Sequence, residues 1–409
     1  MTMIYHAIVL NLHQPAGNLR QLLKDTPWET HEILYALDRI PRSLWAYEDL
    51  AKIHLSLSGT LLETLSDPEF QQHVYGIVDC GSLLWYYQNT SIFKLLGTAY
   101  YHPVLPLIPE PDRTHHLERW LGIASHLFNR DNFRGFWPPE MAFSMELIPL
   151  LKRHGYRYVI VDSEHVEPIS TMSWSELHYQ PHVARYGGED IVIIVRDREL
   201  SNAQESGMDN DWFDAEVRQR TKWCDFSPLV TTATDGENGG WFRNTHDSAN
   251  FWGFYKNLLK RFRSASSPIK PCFIDDYLEQ FGAFGEVYVH SGAWNTGWHH
   301  GHDFTQWTGS LEQQSVLNRI HLTSQELELT VQLINARNDL VADLLQHIER
   351  ARWQLLRAET SCNIFWGEAW VPRAHADLER CWCEINHVKQ QLGSSINQAY
   401  DNHITQTVY

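Results

Sequence analysis

The sequence predicts an α/β protein built around a barrel of parallel strands and followed by a helical domain. Short apolar runs alternate with segments of helical periodicity through the first three quarters of the chain, as in βαβ units in series. After about residue 310 the short runs stop and long helical patterns take their place. We therefore predict two domains, a barrel at 1–310 and a helical domain at 311–409.

Eight apolar runs have the length of barrel strands, and each one ends in polar or small residues. They lie at residues 4–12, 53–57, 92–96, 133–137, 156–161, 191–195, 229–234 and 287–289. In a parallel barrel the carboxyl ends of the strands meet on one face, where active sites lie. Polar residues that follow distant runs should therefore lie close together on one rim.

Helical segments lie between and after these runs. Residues 145–154 and 252–263 carry apolar residues at helical spacing, and a further helical pattern runs from about 374 to 392. One long amphipathic helix is predicted from Leu327, Val331, Ile334, Val341, Leu345, Ile348 and Leu355. We expect a short loop at residues 268–271 and a longer excursion over the barrel mouth at residues 202–213.

Composition disfavours two classes of partner. The 409 residues include 33 Lys and Arg against 50 Asp and Glu, a net charge of −17. This charge disfavours nucleic acid and anionic membrane surfaces, because clustered basic residues bind both. The first apolar stretch lacks a basic region and is broken by His6 and Asn11, so it predicts a strand rather than a signal peptide. Six cysteines do not make a disulfide framework in a chain of this length, and we expect a cytoplasmic location.

Three carboxylates follow predicted strands. Glu140 comes after Trp137 and two prolines, whereas Asp235 and Glu237 lie in a glycine-rich string that ends at Trp241. Two carboxylates across a cleft can cleave a glycosidic bond, one as the nucleophile and one as the acid and base. Aspartate ahead of a helix is also a common N-cap, so a purely structural role fits these residues as well.

Histidines and tryptophans are found beside these carboxylates. A lone histidine is more often structural than functional, but neutral histidines in a polar cleft can bind sugar hydroxyls, and the candidates are His13, His102 and His299. The flat rings of tryptophan fit the apolar faces of sugars, and the candidates are Trp137, Trp241, Trp294, Trp298, Trp307 and Trp366.

Six strings in order resemble glycoside hydrolase family 57 over most of the chain. They are His13-Gln-Pro, Ser58-Gly-Thr-Leu-Leu-Glu63, Gly97-Thr-Ala-Tyr-Tyr-His-Pro-Val-Leu-Pro106, Trp137-Pro-Pro-Glu140, Asp235-Gly-Glu237 and Leu356-Arg-Ala-Glu-Thr-Ser-Cys-Asn-Ile-Phe-Trp366. The first string alone is weak, but all six in order are specific. The resemblance implies an incomplete (β/α)7 barrel, a C-terminal helical domain and a retaining enzyme of the amylase, 4-α-glucanotransferase or branching type.

The resemblance also implies roles for residues in these strings. Glu140 lands on the position of the family's nucleophile, and Asp235 on that of its general acid/base. Glu237 would be a neighbouring polar carboxylate, while His13 and Trp366 would line the donor-sugar subsite.

The substrate that the resemblance implies is an α-glucan or a maltooligosaccharide, with no cofactor and no metal. We expect further contacts with it from Gln14, His102, Trp137, Asp162, Trp241, Trp294, Trp298 and His299. One position departs from the family's pattern, because many members carry Glu on the third strand where this chain has Lys94.

Two other classes of function stay open on the sequence. A metal-dependent carbohydrate deacetylase or mannosidase of the related barrel type would use His13 and Asp162 as ligands. A non-catalytic glucan-binding protein would bind glucan in the same cleft without cleaving it. Lys94 would then indicate that the active site has lost its function.

Overall fold

The strands form at the predicted apolar runs. A computed structural model describes residues 3–246, 249–294, 303–336 and 342–406. In these residues the strands are β1 (Ile4–Leu12), β2 (Ile53–Leu57), β3 (Phe93–Leu96), β4 (Gly135–Phe136), β5 (Tyr158–Asp162), β6 (Val166–Pro168), β7 (His182–Tyr186), β8 (Glu189–Arg196), β9 (Leu229–Asp235), β10 (Ile269–Pro271) and β11 (Val287–Val289). The ends of the eight predicted runs differ from the observed strands by two residues at most.

The helices follow in chain order, and side-chain caps begin several of them. Ser58, Asp67, Asp79 and Asp197 each accept a hydrogen bond from the backbone N–H three residues later. In the described residues the helices are α1 (Asn18–Asp25), α2 (Pro27–Leu44), α3 (Gly59–Ser66), α4 (Pro68–Val74), α5 (Cys80–Asn89), α6 (Glu110–Phe128), α7 (Ile148–Arg153), α8 (Trp174–Tyr179), α9 (Arg198–Ser206), α10 (Asn210–Thr221), α11 (Gly239–Arg243), α12 (Phe251–Arg263), α13 (Ile274–Phe281), α14 (Thr305–Thr308), α15 (Leu311–Asn335), α16 (Ala342–Ala358), α17 (Ser361–Phe365) and α18 (Val371–Gln406).

Seven strands of the described chain form a nearly closed parallel barrel. Their order is β3-β2-β1-β9-β8-β5-β4. The two edge strands meet at Gly97, whose N–H donates to the carbonyl of Gly135 (2.9 Å) and whose carbonyl accepts from the N–H of Trp137 (2.8 Å). These bonds draw the ends of the sheet together, so the prediction of an incomplete seven-stranded barrel is confirmed.

Successive side chains of a strand point to opposite faces, so every second residue faces the barrel interior. On β1 the inward residues Tyr5, Ala7 and Val9 belong to a buried apolar cluster. Other strands and the segments after β4 and β10 complete it with Leu96, Trp137, Met141, Tyr158, Ile160, Ile194, Leu229, Ala233, Cys272, Ile274 and Tyr277. On β1 and β9 the next inward positions toward the carboxyl ends are Asn11 and Asp235.

Two connecting segments differ from the sequence-based expectation. Residues 268–271, expected to be a loop, contain β10, which pairs in parallel with the start of β1. Residues 202–213 form no open excursion, because they belong to α9 and α10, which are separated by a short break at Gly207. The φ angle of Gly207 is 102°, a value that favours glycine, so the helix ends there.

Strand β11 lies outside the barrel. It pairs antiparallel with β6, with Val289 opposite Val166. The predicted strand is therefore present, but it forms a separate two-stranded sheet. A run of three apolar residues has no periodicity that distinguishes a barrel strand from a short antiparallel pair.

Two compact units make up the chain. The first comprises Met1–Pro106 and His116–Phe304 and contains the barrel, and the second comprises Leu107–His115 and Thr305–Tyr409. Helix α15 of the second unit begins at Leu311, and the domain boundary proposed from the sequence stays a prediction. No helix in the described residues combines the length and the apolar character that a membrane crossing requires.

The second unit is helical, as the change in periodicity predicts. Helix α18 packs against α15 and α16 and contains the pattern expected at residues 374–392. The single long helix expected before it is wrong, because α15 and α16 are separate helices. The apolar spacing nevertheless marks the buried face, since the side chains of Leu327, Ile334, Ile348 and Leu355 are buried.

The closure of the barrel at Gly97 leads to a prediction about stability. A Cβ atom at Gly97 would lie 2.2 Å from Cε1 of the buried Tyr156. We expect Gly97→Ala to lower the free energy of unfolding by about 1–3 kcal/mol, because a packed core resists added atoms. Gly122→Ala is the matched control, since nothing lies within 4 Å of its Cβ position in α6 and alanine favours a helix. Urea denaturation measures both changes, and equal stability of the two variants would contradict the prediction.

Candidate active site

The carboxyl ends of the barrel strands carry polar side chains above the apolar cluster. Asn11 and Asp235 lie opposite each other in the register of β1 and β9. Asp162 and Arg196 lie opposite each other in the register of β5 and β8. All four occupy inward positions of their strands, so the alternation that builds the apolar cluster also places polar groups at the rim.

The backbone at Glu140 adopts an uncommon conformation. Strand β4 ends at Phe136, and Pro138 and Pro139 lead into a single turn of 3-10 helix. Glu140 (φ 59°) and Met141 (φ 49°) both lie in the left-handed region. Such a conformation costs a non-glycine residue on the order of 1–3 kcal/mol, and it persists only where surrounding contacts enforce it.

Two ring nitrogens lie next to the carboxylate of Glu140. The Nε1–H of Trp294 donates to Oε2 (2.9 Å), and Nδ1 of His102 lies 3.5 Å from Oε1. The backbone N–H of Trp294 also donates to the carbonyl of Glu140 (3.0 Å), and two backbone hydrogen bonds join Phe143 to Gly292. These contacts fix the orientation of a carboxylate whose side chain is 15% exposed.

Asp235 is held by two amide side chains. Nδ2 of Asn11 donates to Oδ1 (2.9 Å), and Nδ2 of Asn238 donates to Oδ2 (3.2 Å). Burial raises the pKa of Asp235 to about 6; the two amide hydrogen bonds lower it in part, and the charges of Glu140 and Glu205 raise it further. The carboxyl group of Asp235 therefore stays protonated up to about pH 6, higher than a solvated aspartate, and a general acid must carry a proton.

Glu237 is fully buried beside Asp235. Its Oε1 accepts from the backbone N–H of His13 (3.0 Å) and from Nε2 of Gln14 (3.5 Å). Its Oε2 has no hydrogen-bond partner among the described residues. Burial, followed by the charge of Asp235, raises the pKa of Glu237 to about 8, so this carboxyl group is mostly neutral at pH 7.

The predicted histidines His13 and His102 form a stacked pair. Their ring centroids are 4.0 Å apart, and the planes differ by 8°. Burial lowers the pKa of His13 well below its usual range, and the charge of His102 acts in the same direction. His13 is therefore neutral at physiological pH. Its partner His102 lies beside Glu140, so the stack brings a residue of the β1 end next to the Glu140 carboxylate.

Asp162 is bound by two arginines. Arg196 Nη1 lies 2.5 Å from Oδ2, and Arg198 Nε lies 2.7 Å from Oδ1, with the carboxylate fully buried. Burial alone would raise the pKa of Asp162, but the two guanidinium charges outweigh it and hold the pKa below its usual range. These partners occupy both oxygens, so the structure gives no support to Asp162 as a metal ligand. Its contact with substrate stays a prediction.

Lys94 lies on an inward position of β3, toward the amino-terminal side of the barrel. Its Nζ is 3.3 Å from Oδ2 of Asp275, near the start of α13. The hydroxyl of Tyr158, the first residue of β5, donates to the same oxygen (3.2 Å). The lysine charge is thus compensated inside the barrel.

The predicted tryptophans differ in their surroundings. Trp137 is fully buried and packs edge-to-face on Trp294, with ring centroids 5.6 Å apart. Trp241 lies on α11 and packs over Gly207. Trp366 belongs to the second unit and is 56% exposed. Two predicted contacts, Trp298 and His299, lie outside the described residues.

Sequence reasoning named the groups beside Glu140 and Glu237, but not the amides that bind Asp235 or the arginines that bind Asp162. Asn11 and Asn238 were present in the strings around the motifs, and an amide at a strand end was the available signal. Arg196 and Arg198 likewise follow an apolar run. The contacts of Asn11 with Asp235 and of Arg196 with Asp162 depend on strand order, which the sequence pattern does not contain.

Comparison with known protein families gives one match over most of the first unit. The family model described as "Glycosyl hydrolase family 57" matches residues 8–290.

Curated relatives are similar over the same part of the chain. An α-amylase of Pyrococcus horikoshii is 26% identical over 280 residues, which are 68% of this chain and 40% of that protein. A 4-α-glucanotransferase of Thermococcus kodakarensis is 26% identical over 295 residues, which are 71% of this chain and 41% of that protein. The matches thus span less than half the length of these relatives.

Solved structures share the fold over nearly the whole chain. A GH57 branching enzyme from Thermococcus kodakaraensis superposes with a TM-score of 0.71 at 13% identity, covering 96% of this chain and 91% of that one. A 4-α-glucanotransferase from Thermococcus litoralis superposes with a TM-score of 0.62 at 19% identity, covering 96% of this chain and 60% of that one.

The raised pKa of Glu237 predicts a stability that depends on pH. The folded state keeps this proton to about pH 8, whereas an unfolded glutamate loses it near pH 4.3. Because the folded state binds more protons in this window, the contribution of Glu237 to the free energy of unfolding falls as pH rises. Glu237→Gln replaces the titratable carboxyl group with an amide that does not titrate, and it keeps an oxygen that can accept the hydrogen bond from His13. The free energy of unfolding of this variant relative to wild type should therefore rise by a few kcal/mol between about pH 5 and pH 8.

Urea denaturation at both pH values measures this difference. Glu32→Gln is the matched control, because Glu32 is an exposed glutamate on α2. Its difference from wild type should be the same at both pH values. A constant difference for Glu237→Gln as well would contradict the assignment of a neutral Glu237.

Proposed function

The chain belongs to glycosyl hydrolase family 57, and from this membership we propose that it is a retaining enzyme that cleaves or transfers α-1,4-linked glucose chains. The single observation that carries the proposal is the contrast between two carboxyl groups at one end of the barrel. Glu140 is oriented by Trp294 and His102, whereas Asp235 has a pKa raised to about 6. A nucleophile and a general acid require such a contrast.

In the first step that we propose, a carboxylate oxygen of Glu140 attacks the anomeric carbon of the donor sugar. The glycosidic C–O bond breaks as the new C–O bond forms, and Asp235 gives its proton to the departing oxygen. The products are a glycosyl ester on Glu140 and a shortened glucan. The hydrogen bond from Trp294 to Oε2 leaves a defined orientation for the attack by Oε1.

In the second step the roles of the two groups change. Once Glu140 is an ester, it no longer carries the negative charge that raises the pKa of Asp235. The pKa of Asp235 then falls, so its carboxyl group stays ionised and can act as a base. It takes a proton from water or from a sugar hydroxyl, whose oxygen attacks the anomeric carbon and releases Glu140.

The substrate contacts that we propose come from the residues named from the sequence. The neutral ring of His13 and the ring of His102 fit hydroxyl groups, and the partly buried rings of Trp294 and Trp241 fit the apolar faces of glucose. Gln14, Trp137, Asp162, Glu237, Trp298, His299 and Trp366 remain predicted contacts. The bonds of Asp162 to two arginines count against the deacetylase alternative, which needs that carboxylate for a metal. The cytoplasmic location also stays a prediction.

Products from maltooligosaccharides and amylose test the proposal directly. Hydrolysis gives only shorter chains, transfer gives a ladder that includes longer chains, and branching gives new α-1,6 linkages. Glu140→Gln should lower the rate of product formation by at least about a thousandfold, because the ester cannot form. Glu32→Gln should retain wild-type activity. Turnover by Glu140→Gln near the wild-type rate would reassign the nucleophile, and no turnover by the wild type would leave a glucan-binding protein.

The pH dependence of kcat/KM tests Asp235. The general acid must be protonated in the free enzyme, so activity should fall as pH rises through about 6. Asn11→Ala removes a hydrogen bond that stabilises the ionised carboxylate, so the pKa rises and this limb of the profile moves to higher pH. Asn89→Ala, an exposed amide on α5, is the control and should leave the limb in place. An unmoved limb in Asn11→Ala would show that Asp235 does not set it.

A further inference from the structure

Two helices of the second unit place histidines and carboxylates on facing surfaces. Asp343 and His347 are one turn apart on α16, and Glu384 and His387 are one turn apart on α18. Residues at i,i+4 and i,i+3 share a helix face, so each helix presents one carboxylate and one imidazole. These four side chains lie outside the barrel site.

The potential ligand atoms converge. One oxygen of Asp343 and one ring nitrogen from each of His347 and His387 all lie within 4.8 Å of one another. The two rings are stacked, with centroids 4.0 Å apart. Bonds of about 2.1 Å in a tetrahedral zinc site set ligand atoms roughly 3.4 Å apart, so small side-chain rotations would close this cluster on one ion.

The carboxylate of Glu384 contacts the ring nitrogen of His347 that faces away from Asp343. Its Oε2 lies 2.5 Å from Nδ1 of His347, and Oδ2 of Asp343 lies 3.9 Å from Nε2 of the same ring. If Nδ1 donates to Glu384, Nε2 presents its lone pair on the side of Asp343. A carboxylate on the far nitrogen is the usual arrangement behind a metal-binding histidine, where it fixes the tautomer and raises basicity.

The positive charge of Arg350 lies beside the cluster and disfavours a bound cation. The negative charges of Glu384 and Asp343 together exceed it. Nη2 of Arg350 lies 2.8 Å from Nδ1 of His347, and its Nε lies 3.3 Å from both carboxylate oxygens of Glu384. A guanidinium group only donates, so Nδ1 of His347 cannot accept from Arg350 while it donates to Glu384. The proposed site requires the second of these states, in which Arg350 pairs with the carboxylate of Glu384. Asp343, whose side chain is 68% exposed, adds the second negative charge and can rotate toward an ion.

From this geometry we propose that Asp343, His347 and His387 bind a divalent first-row transition metal ion, with Zn²⁺ as the representative, and that Glu384 positions His347. Two imidazoles and one carboxylate favour Zn²⁺ over Mg²⁺ or Ca²⁺, which prefer oxygen ligands. Three protein ligands leave a fourth position for water. The ion would join α16 to α18 and so stabilise the helical unit, because it binds only where both helices are folded.

Zinc binding by the full-length protein tests the proposal. The protein is treated with a chelator, dialysed and titrated with ZnCl₂ by calorimetry, in a Cys383→Ser background that removes the exposed thiol of α18. The parent should bind one Zn²⁺ more than His387→Gln, and its Tm should rise on zinc addition by more than that of the variant. Asp343→Asn, at an exposed position, should weaken binding at this site about tenfold or more.

His375→Gln is the matched control, because this histidine also lies on α18 but outside the cluster. It should keep the stoichiometry and the Tm increase of the parent. Circular dichroism of each variant checks that the helices are intact, and Co²⁺ in place of Zn²⁺ should give the visible absorption of a low-coordinate site only where the cluster is whole. Zinc binding and Tm increases that are equal in His387→Gln, Asp343→Asn and His375→Gln, or no binding by the parent, would overturn the proposal.

Discussion

Strands β1 and β9 lie side by side in parallel over seven paired positions, from Tyr5 opposite Leu229 to Asn11 opposite Asp235. This register places an amide next to the carboxyl group of Asp235, and it brings the backbone N–H of His13 to Glu237 just beyond the strand ends. A slip of one residue would turn the apolar inward residues outward, so burial of the cluster enforces the register. The packing of the barrel interior therefore also determines the hydrogen bonds of the acid site.

The site combines several arrangements that are unfavourable by themselves. The carboxyl group of Glu237 is fully buried and that of Asp235 is partly buried, and Glu140 and Met141 adopt left-handed backbone conformations. Hydrogen bonds from amide and indole groups offset part of the free-energy cost of burying the carboxyl groups. Backbone hydrogen bonds around Glu140 hold the left-handed backbone conformations in place. Carboxyl groups held in this way have pKa values that a solvated pair would not have. Burial of Asp235 costs stability, but it also raises the pKa of this carboxyl group and so suits it to the role of general acid in the proposed function.

The barrel interior has polar groups at both ends and an apolar cluster between them. Toward the amino-terminal ends, Asp275 binds Lys94 and Tyr158, whereas the opposite end carries Asp235 and Glu237. The sequence resemblance predicts Glu where this chain has Lys94, and the charge of the lysine is neutralised by Asp275. The lysine therefore has an electrostatic partner inside the barrel.

The sequence by itself determined the alternation of strands and helices, the change to helices near residue 310, and the motifs that contain Glu140, Asp235 and Glu237. These follow from local periodicity and from strings of neighbouring residues. Only the tertiary structure decided that β11 lies outside the barrel, that Asn11 and Asn238 bind Asp235, and that two arginines occupy Asp162. Strand order and register join Asn11 to Asp235, 224 positions apart, and Arg196 to Asp162, 34 positions apart, and no local pattern encodes which of them meet. Burial, and with it the pKa of each carboxyl group, follows from those same distant contacts.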